Sequence, residues 1–151
     1  MTIRAPFKIL FLCTGNSARS IFGEYLIRKL GKGRFKSYSA GADPRRRINP
    51  YALRVLQESF KIDASEARPK SWDVYKDVIF DFVITVCDHA KETCPVWPGQ
   101  PITAPLWRRE PGSVGHSRGC AGRSTGDAFS LQHMRPFADL VRATLASRVM
   151  P

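Results

Sequence analysis

The chain has no apolar run approaching the length of a membrane-spanning helix. Its N-terminal stretch, MTIRAPFKILFLC, lacks the small-residue cleavage site that a signal peptide carries after its apolar core. A cytoplasmic protein with no membrane attachment is therefore expected. Cysteine is scarce, with four residues (Cys13, Cys87, Cys94 and Cys120) among 151. In a reducing compartment such thiols serve catalysis or metal binding more often than structural disulfides. Acidic side chains are also few, 13 against 24 Lys and Arg, which leaves a formal charge of +11. A surplus of that size raises the question of nucleic-acid binding. Its distribution argues otherwise: residues 1–50 carry 11 Lys/Arg and 2 acids, whereas residues 51–100 carry 6 and 8. No nucleic-acid motif accompanies it. Positive charge gathers around Cys13, with a dense run at Arg45, Arg46 and Arg47, and suits a small anion as well as a polymer; a solvated basic face is the plainer alternative.

What is present is a repeated alternation. Residues 7–12 (Phe7, Ile9, Leu10, Phe11, Leu12) form a short apolar run closed by a turn, the pattern of a buried strand. From Arg19 to Leu30 the apolar residues Ile21, Phe22, Tyr25, Leu26 and Leu30 fall at helical spacing, and Gly31 supplies a stop. FKSYS (35–39) alternates as a second strand and runs into a turn at Gly41. Asn49 as N-cap and Pro50 at the first helical position open a second helix through Leu53, Leu56 and Phe60. DFVITVCD (81–88) reads as a buried strand with Cys87 at its end, PITAPLW (101–107) holds a fourth short strand, and Phe137, Leu140, Val141, Leu145 and Val149 mark a closing helix. Strands alternating with helices imply a mostly parallel sheet covered on both faces. One α/β domain over residues 1–151 is expected, large enough to bury a core without staples. In such sheets sites form beyond the carboxyl ends of the strands, where Cys13 and Cys87 both fall. Residues 108–127, RREPGSVGHSRGCAGRSTGD, stand apart: rich in Gly, Arg and Ser, without periodicity, they read as an atypical loop.

Cys13 to Ser20 has the form C-x5-R-S between a strand and a helix. If Thr14, Gly15, Asn16, Ser17 and Ala18 wrap around a centre, their backbone N–H groups and the helix N-terminus make an anion cradle, and Arg19 adds a planar fork for oxyanion oxygens. The same field acts on sulfur. A thiol with an ordinary pKa of about 8.5 falls to roughly 3.5 to 7.5 at helix N-termini near cations. Ser20 is placed to donate to the sulfur, and Gly15 and Asn16 tolerate the left-handed backbone a tight loop demands. A nucleophilic thiol in an oxyanion site is the expectation, against the plainer possibility of a small buried cysteine preceding a helix.

CTGNSARS (13–20), YSAG (38–41), INPYALRVL (48–56) and above all DFVITVCDHAKETCPVWPG (81–99) resemble the arsenate reductases built on the low-molecular-weight tyrosine-phosphatase fold, over roughly residues 7–107. The loop alone would allow a phosphatase; the second cysteine region is the reductase feature. Ile21 points the same way, because the phosphatases usually carry proline directly after the loop's Arg-Ser. The resemblance implies a four-stranded parallel sheet flanked by helices and reduction of arsenate to arsenite in arsenic detoxification. It implies no bound cofactor. It further implies a relay in which Cys13 attacks arsenic, Cys87 resolves the adduct, and Cys94 carries the disulfide outward to an external reductant: thioredoxin, or in other members a glutaredoxin or low-molecular-weight thiol. A metal site from Cys87, His89 and Cys94, with His116 or Cys120, matches none of the common zinc spacings, so no metal is expected. Cys120 reads as a bystander and His89 as a surface residue.

The resemblance breaks after Ala104. The family's His-Trp-Gly and following Asp-Pro, whose aspartate serves as acid or base, are replaced by PLWRREP (105–111). Glu110 is the candidate substitute; alternatively the loop has lost the group, or the altered composition reflects a change of reading frame. The competing functions are a low-molecular-weight tyrosine phosphatase, a non-catalytic oxyanion-binding regulator and, last, a basic nucleic-acid module.

Overall fold

The computed structural model describes residues 5–87, 94–99 and 101–105. The expected helix at 137–149, the loop at 108–127 and Glu110, Cys120, His89 and His116 lie outside the described residues.

The first strand, β1 (Phe7–Cys13), leads through a loop into α1 (Arg19–Leu30), which is followed by β2 (Phe35–Gly41) and α2 (Pro50–Phe60). A 3-10 turn (Trp72–Tyr75), absent from the periodicity reading because four residues carry no period, precedes β3 (Phe82–Thr85) and β4 (Ile102–Pro105). The strands lie in the order β2-β1-β3-β4, each neighbour parallel to the next. A core of β2, β1 and β3 thus carries the short β4 on its outer edge. The cysteine strand is central. It pairs with β2 so that Cys13 lies opposite Gly41, and with β3 so that Leu12 lies opposite Thr85.

Alternation along β1 divides the core. Leu10 and Leu12 face a cluster with Ala40, Phe80, Val83 and Trp97, while Ile9, Phe11 and Cys13 face the other side with Ile27 of α1 and Val86. Burial on both faces is what a continuous apolar run in a parallel sheet requires. Helix α1 approaches β1 closely at Gly23: a Cβ there would lie 2.5 Å from the Phe11 ring. Its outer side (Ile21, Phe22, Leu26) packs on Ala52, Val55 and Leu56 of α2. Asn49 caps α2 as expected, its side chain accepting the Tyr51 N–H at 2.9 Å.

One boundary differs from the sequence reading. Strand β3 ends at Thr85 rather than continuing to Asp88, so Cys87 stands beyond the ladder, after Val86 donates its N–H to the Leu12 carbonyl at 2.8 Å. Helix α1 runs from Arg19 to Leu30 with Gly31 as its C-cap, as expected; Gly31 is right-handed, and Lys32 and Gly33 make the left-handed turn (φ 46° and 81°). No helix among the described residues is long and apolar enough to cross a membrane.

Candidate active site

The loop from Cys13 to Ala18 is held by its carbonyl groups. Ala42 donates to the Cys13 carbonyl at 3.1 Å, Asp43 to Thr14 at 2.9 Å, Arg45 to Gly15 at 2.9 Å, Asn49 to Ser17 at 2.8 Å, and Phe22 to Ala18 at 2.9 Å. Within a trans peptide the N–H points opposite to the carbonyl. Fixing five carbonyls outward therefore turns the following N–H groups to the concave side. The Asn16 N–H demonstrates the direction by reaching the Cys13 sulfur at 3.0 Å. The start of α1 adds its positive end, with no acidic side chain in the first turn to neutralise it. This is the geometry an anion cradle requires.

Glycine serves the loop by allowing close approach. A Cβ on Gly41 would sit 2.5 Å from the Thr14 carbonyl oxygen, and one on Gly15 would press on the Arg45 side chain at 3.1 Å. Only half of the conformational expectation for Gly15 and Asn16 holds. Asn16 is left-handed at φ 41°, whereas Gly15 is not among the positive-φ residues.

A directed chain of hydrogen bonds starts at the sulfur. Cys13 Sγ lies 2.9 Å from Ser20 Oγ. That oxygen accepts from Asn16 Nδ2 at 2.9 Å, and its own hydroxyl hydrogen is available to an anionic sulfur. The second Asn16 amide hydrogen goes to Ser39 Oγ at 2.9 Å, and Ser39 in turn donates to the Glu24 carboxylate. The Lys70 N–H fixes the other end of the amide, on Asn16 Oδ1 at 2.7 Å. Glu24, only 7 % exposed, is paired with Arg28 at 2.7 Å and lies 3.7 Å from Lys70 Nζ. Asn16, Ser20 and Ser39 are completely buried.

Sequence reasoning found Cys13, Asn16 and Ser20 but missed Ser39, Glu24 and Lys70. The available signal was Ser37 and Ser39 at alternate positions of a strand, both buried. Ser37 Oγ donates to the Glu24 carbonyl at 2.7 Å. Polar residues on the inward face of a strand require partners.

The second cysteine region meets the loop directly. Arg19 Nη1 donates to the Val86 carbonyl at 3.0 Å, and Thr14 Oγ1 lies 3.4 Å from Cys87 Sγ. Cys87 packs against the cluster that contains Cys13 and also against the cluster of Leu10, Leu12 and Trp97, which Cys94 borders. No disulfide joins Cys13, Cys87 and Cys94 in this structure. Burial pushes the Cys94 thiol above its ordinary range, and the Trp97 indole partly pulls it back.

Residues 8–102 match the family described as low molecular weight phosphotyrosine protein phosphatase. The chain belongs to this family. An arsenate reductase of Oceanobacillus iheyensis is 37 % identical over 92 residues, which cover 60 % of this chain and 63 % of the relative. The match thus spans less than two thirds of the relative's length. Among solved structures, a thioredoxin-dependent arsenate reductase of Corynebacterium glutamicum is similar at 25 % identity and a TM-score of 0.66, over 97 % of this chain and 63 % of that one. An arsenate reductase of Archaeoglobus fulgidus is similar at 25 % identity and a TM-score of 0.63, over 92 % and 99 %.

Proposed function

We propose that this protein reduces arsenate to arsenite with electrons from its own thiols. The observation that carries this reading is the position of Cys87, which touches the Cys13 cluster on one side and the Cys94-bordered cluster on the other. A phosphatase has no use for that arrangement, because water completes its reaction. The relatives named arsenate reductase support the same choice.

In this reading the N–H groups of residues 14–19 and the remaining Arg19 donors hold the arsenate oxygens. The Cys13 sulfur attacks arsenic, an arsenate oxygen leaves as water, and a Cys13 sulfur–arsenic(V) bond forms. Glu110 is the proton donor for that departure. Cys87 then attacks the Cys13 sulfur. The sulfur–sulfur bond forms, the sulfur–arsenic pair passes to arsenic, and arsenite leaves as arsenic(III). Cys94 next attacks Cys87, returning Cys13 to the thiol form and leaving a Cys87–Cys94 disulfide for an external thiol reductant. Thioredoxin is the first choice of reductant.

The test is arsenite formation by the purified protein supplied with thioredoxin and its reductase, with a glutaredoxin system, or with a low-molecular-weight thiol. Turnover with at least one of them is expected, fastest with thioredoxin. Robust hydrolysis of a small aryl phosphate with no arsenite under any system would make the protein a phosphatase.

A further inference from the structure

Trp97 is 5 % exposed, and its Nε1 is completely buried with no hydrogen-bond partner. An unpaired indole N–H in an apolar setting is unfavourable. The ring is held firmly nonetheless, edge-on to Phe80 at 5.5 Å between centroids, in the cluster that Cys94 borders. Cys94 itself is half-buried, and its thiol hydrogen points to the Pro95 carbonyl at 3.6 Å. The titratable groups that pack on the same cluster are Tyr38 from β2, Tyr75 from the 3-10 turn and Cys87 after β3. Among the described residues a cation stands beside them, Lys36, whose Nζ lies 5.9 Å from the Tyr38 ring centroid. The Trp97 N–H is an unpaired donor within the cluster that Cys94 borders.

We propose that Trp97 is a positioning residue for Cys94, its indole N–H donating to the sulfur when that sulfur carries negative charge during disulfide exchange. The proposal rests on the thiol relay. Cys94 loses its proton and attacks the Cys87 sulfur of a Cys13–Cys87 disulfide. The Cys87–Cys94 bond forms, the Cys13–Cys87 bond breaks, and Cys13 departs as a thiolate that takes up a proton; no net oxidation occurs. In the thiol form the indole has no full acceptor. In the anion it gains one, so the donor favours the state in which Cys94 attacks.

The test compares the full-length protein with two variants: Trp97→Phe, and Trp97 replaced by its benzothiophene isostere, which keeps the ring shape and loses only the N–H. The rate of Cys94 alkylation by iodoacetamide is followed against pH by peptide mass spectrometry, beside arsenite release in a single turnover and conversion to the Cys87–Cys94 disulfide. Both variants should alkylate about tenfold more slowly than wild type at neutral pH, the scale of one hydrogen bond to a charged group. Their curves should meet the wild-type curve at high pH, where the thiol is ionised regardless. Release of the first arsenite should keep its rate, while the second disulfide should form about tenfold more slowly at neutral pH. An isostere that behaves like wild type, or a loss equal at every pH, would overturn the proposal in favour of packing alone. Failure of the relay would show in the wild type itself, as no arsenite release, and would remove this role for Trp97 with it.

Discussion

Arg19 reaches across the mouth of the loop to the carbonyl of Val86, the residue before Cys87, at 3.0 Å. One guanidinium thereby joins the segment of the first thiol to that of the second and still has donors left for an anion. Arg19→Lys should therefore lose both functions, since an ammonium on a flexible stem cannot replace the fork. The expected outcome in steady-state assays is a fall in kcat/KM for arsenate of roughly one hundred-fold or more, the scale of a lost transition-state donor. Cys13→Ser should abolish arsenite formation without changing the circular dichroism spectrum. Wild-type turnover by the serine variant would rule out Cys13 as nucleophile.

Asn16 is the keystone for loop stability. Its amide and backbone make hydrogen bonds to Ser20, Ser39, Lys70 and Cys13, all at a φ of 41°. Asn16→Ala removes the amide, strands buried partners and places alanine in a left-handed conformation. A destabilisation on the order of 3 kcal/mol is expected in urea unfolding. A change below about 0.5 kcal/mol, the range of ordinary surface substitutions, would mean the network is dispensable.

The two later cysteines should separate by the products they leave. Cys87→Ser should engage arsenate and release no arsenite without added thiol. Cys94→Ser should release about one arsenite per protein, the yield of one thiol exchange through a Cys13–Cys87 disulfide, and then stall. Mass spectrometry of the alkylated protein locates the bridge in each case. Burial holds the Cys94 thiol above its ordinary range. The ionised form therefore grows as pH rises from neutral, and the second exchange in the wild type should accelerate in that direction. Full multiple-turnover activity of Cys87→Ser would dismantle the relay.

For Glu110, replacement by Gln should slow turnover roughly one hundred-fold, as loss of positioned proton transfer does. Glu110→Asp should retain part of the activity. Equal rates in all three proteins would assign the proton to water.

The legible parts of this molecule were those encoded locally. The strand–loop–helix around Cys13, the Asn49-Pro50 helix start and the apolar runs of β1 and β3 follow from neighbouring residues, and the structure reproduces them. The unread parts depend on distant ones. Glu24 looks like a polar position on a surface helix until α1 is laid against β2, where Ser37 and Ser39 meet it. Cys87 reads as the end of a strand because VITVC is uniformly apolar. The ladder stops earlier, and Val86 turns its N–H back to Leu12. Trp97 carries no local signal; its unpaired N–H exists only once the sheet has buried it.

The pairing of β1 with β2 sets Cys13 opposite Gly41 and Leu12 opposite Ala40. Strands alternate faces, so a slip of one residue would present Tyr38 or Ala40 to Asn16 where Ser39 now stands. The sheet would keep its backbone hydrogen bonds, but Asn16 would lose one of its two side-chain acceptors and the thiol its anchored loop. Chains paired out of register would thus be fully inactive while spectroscopically β-structured, which makes active-site titration a direct count of correctly folded molecules in any preparation.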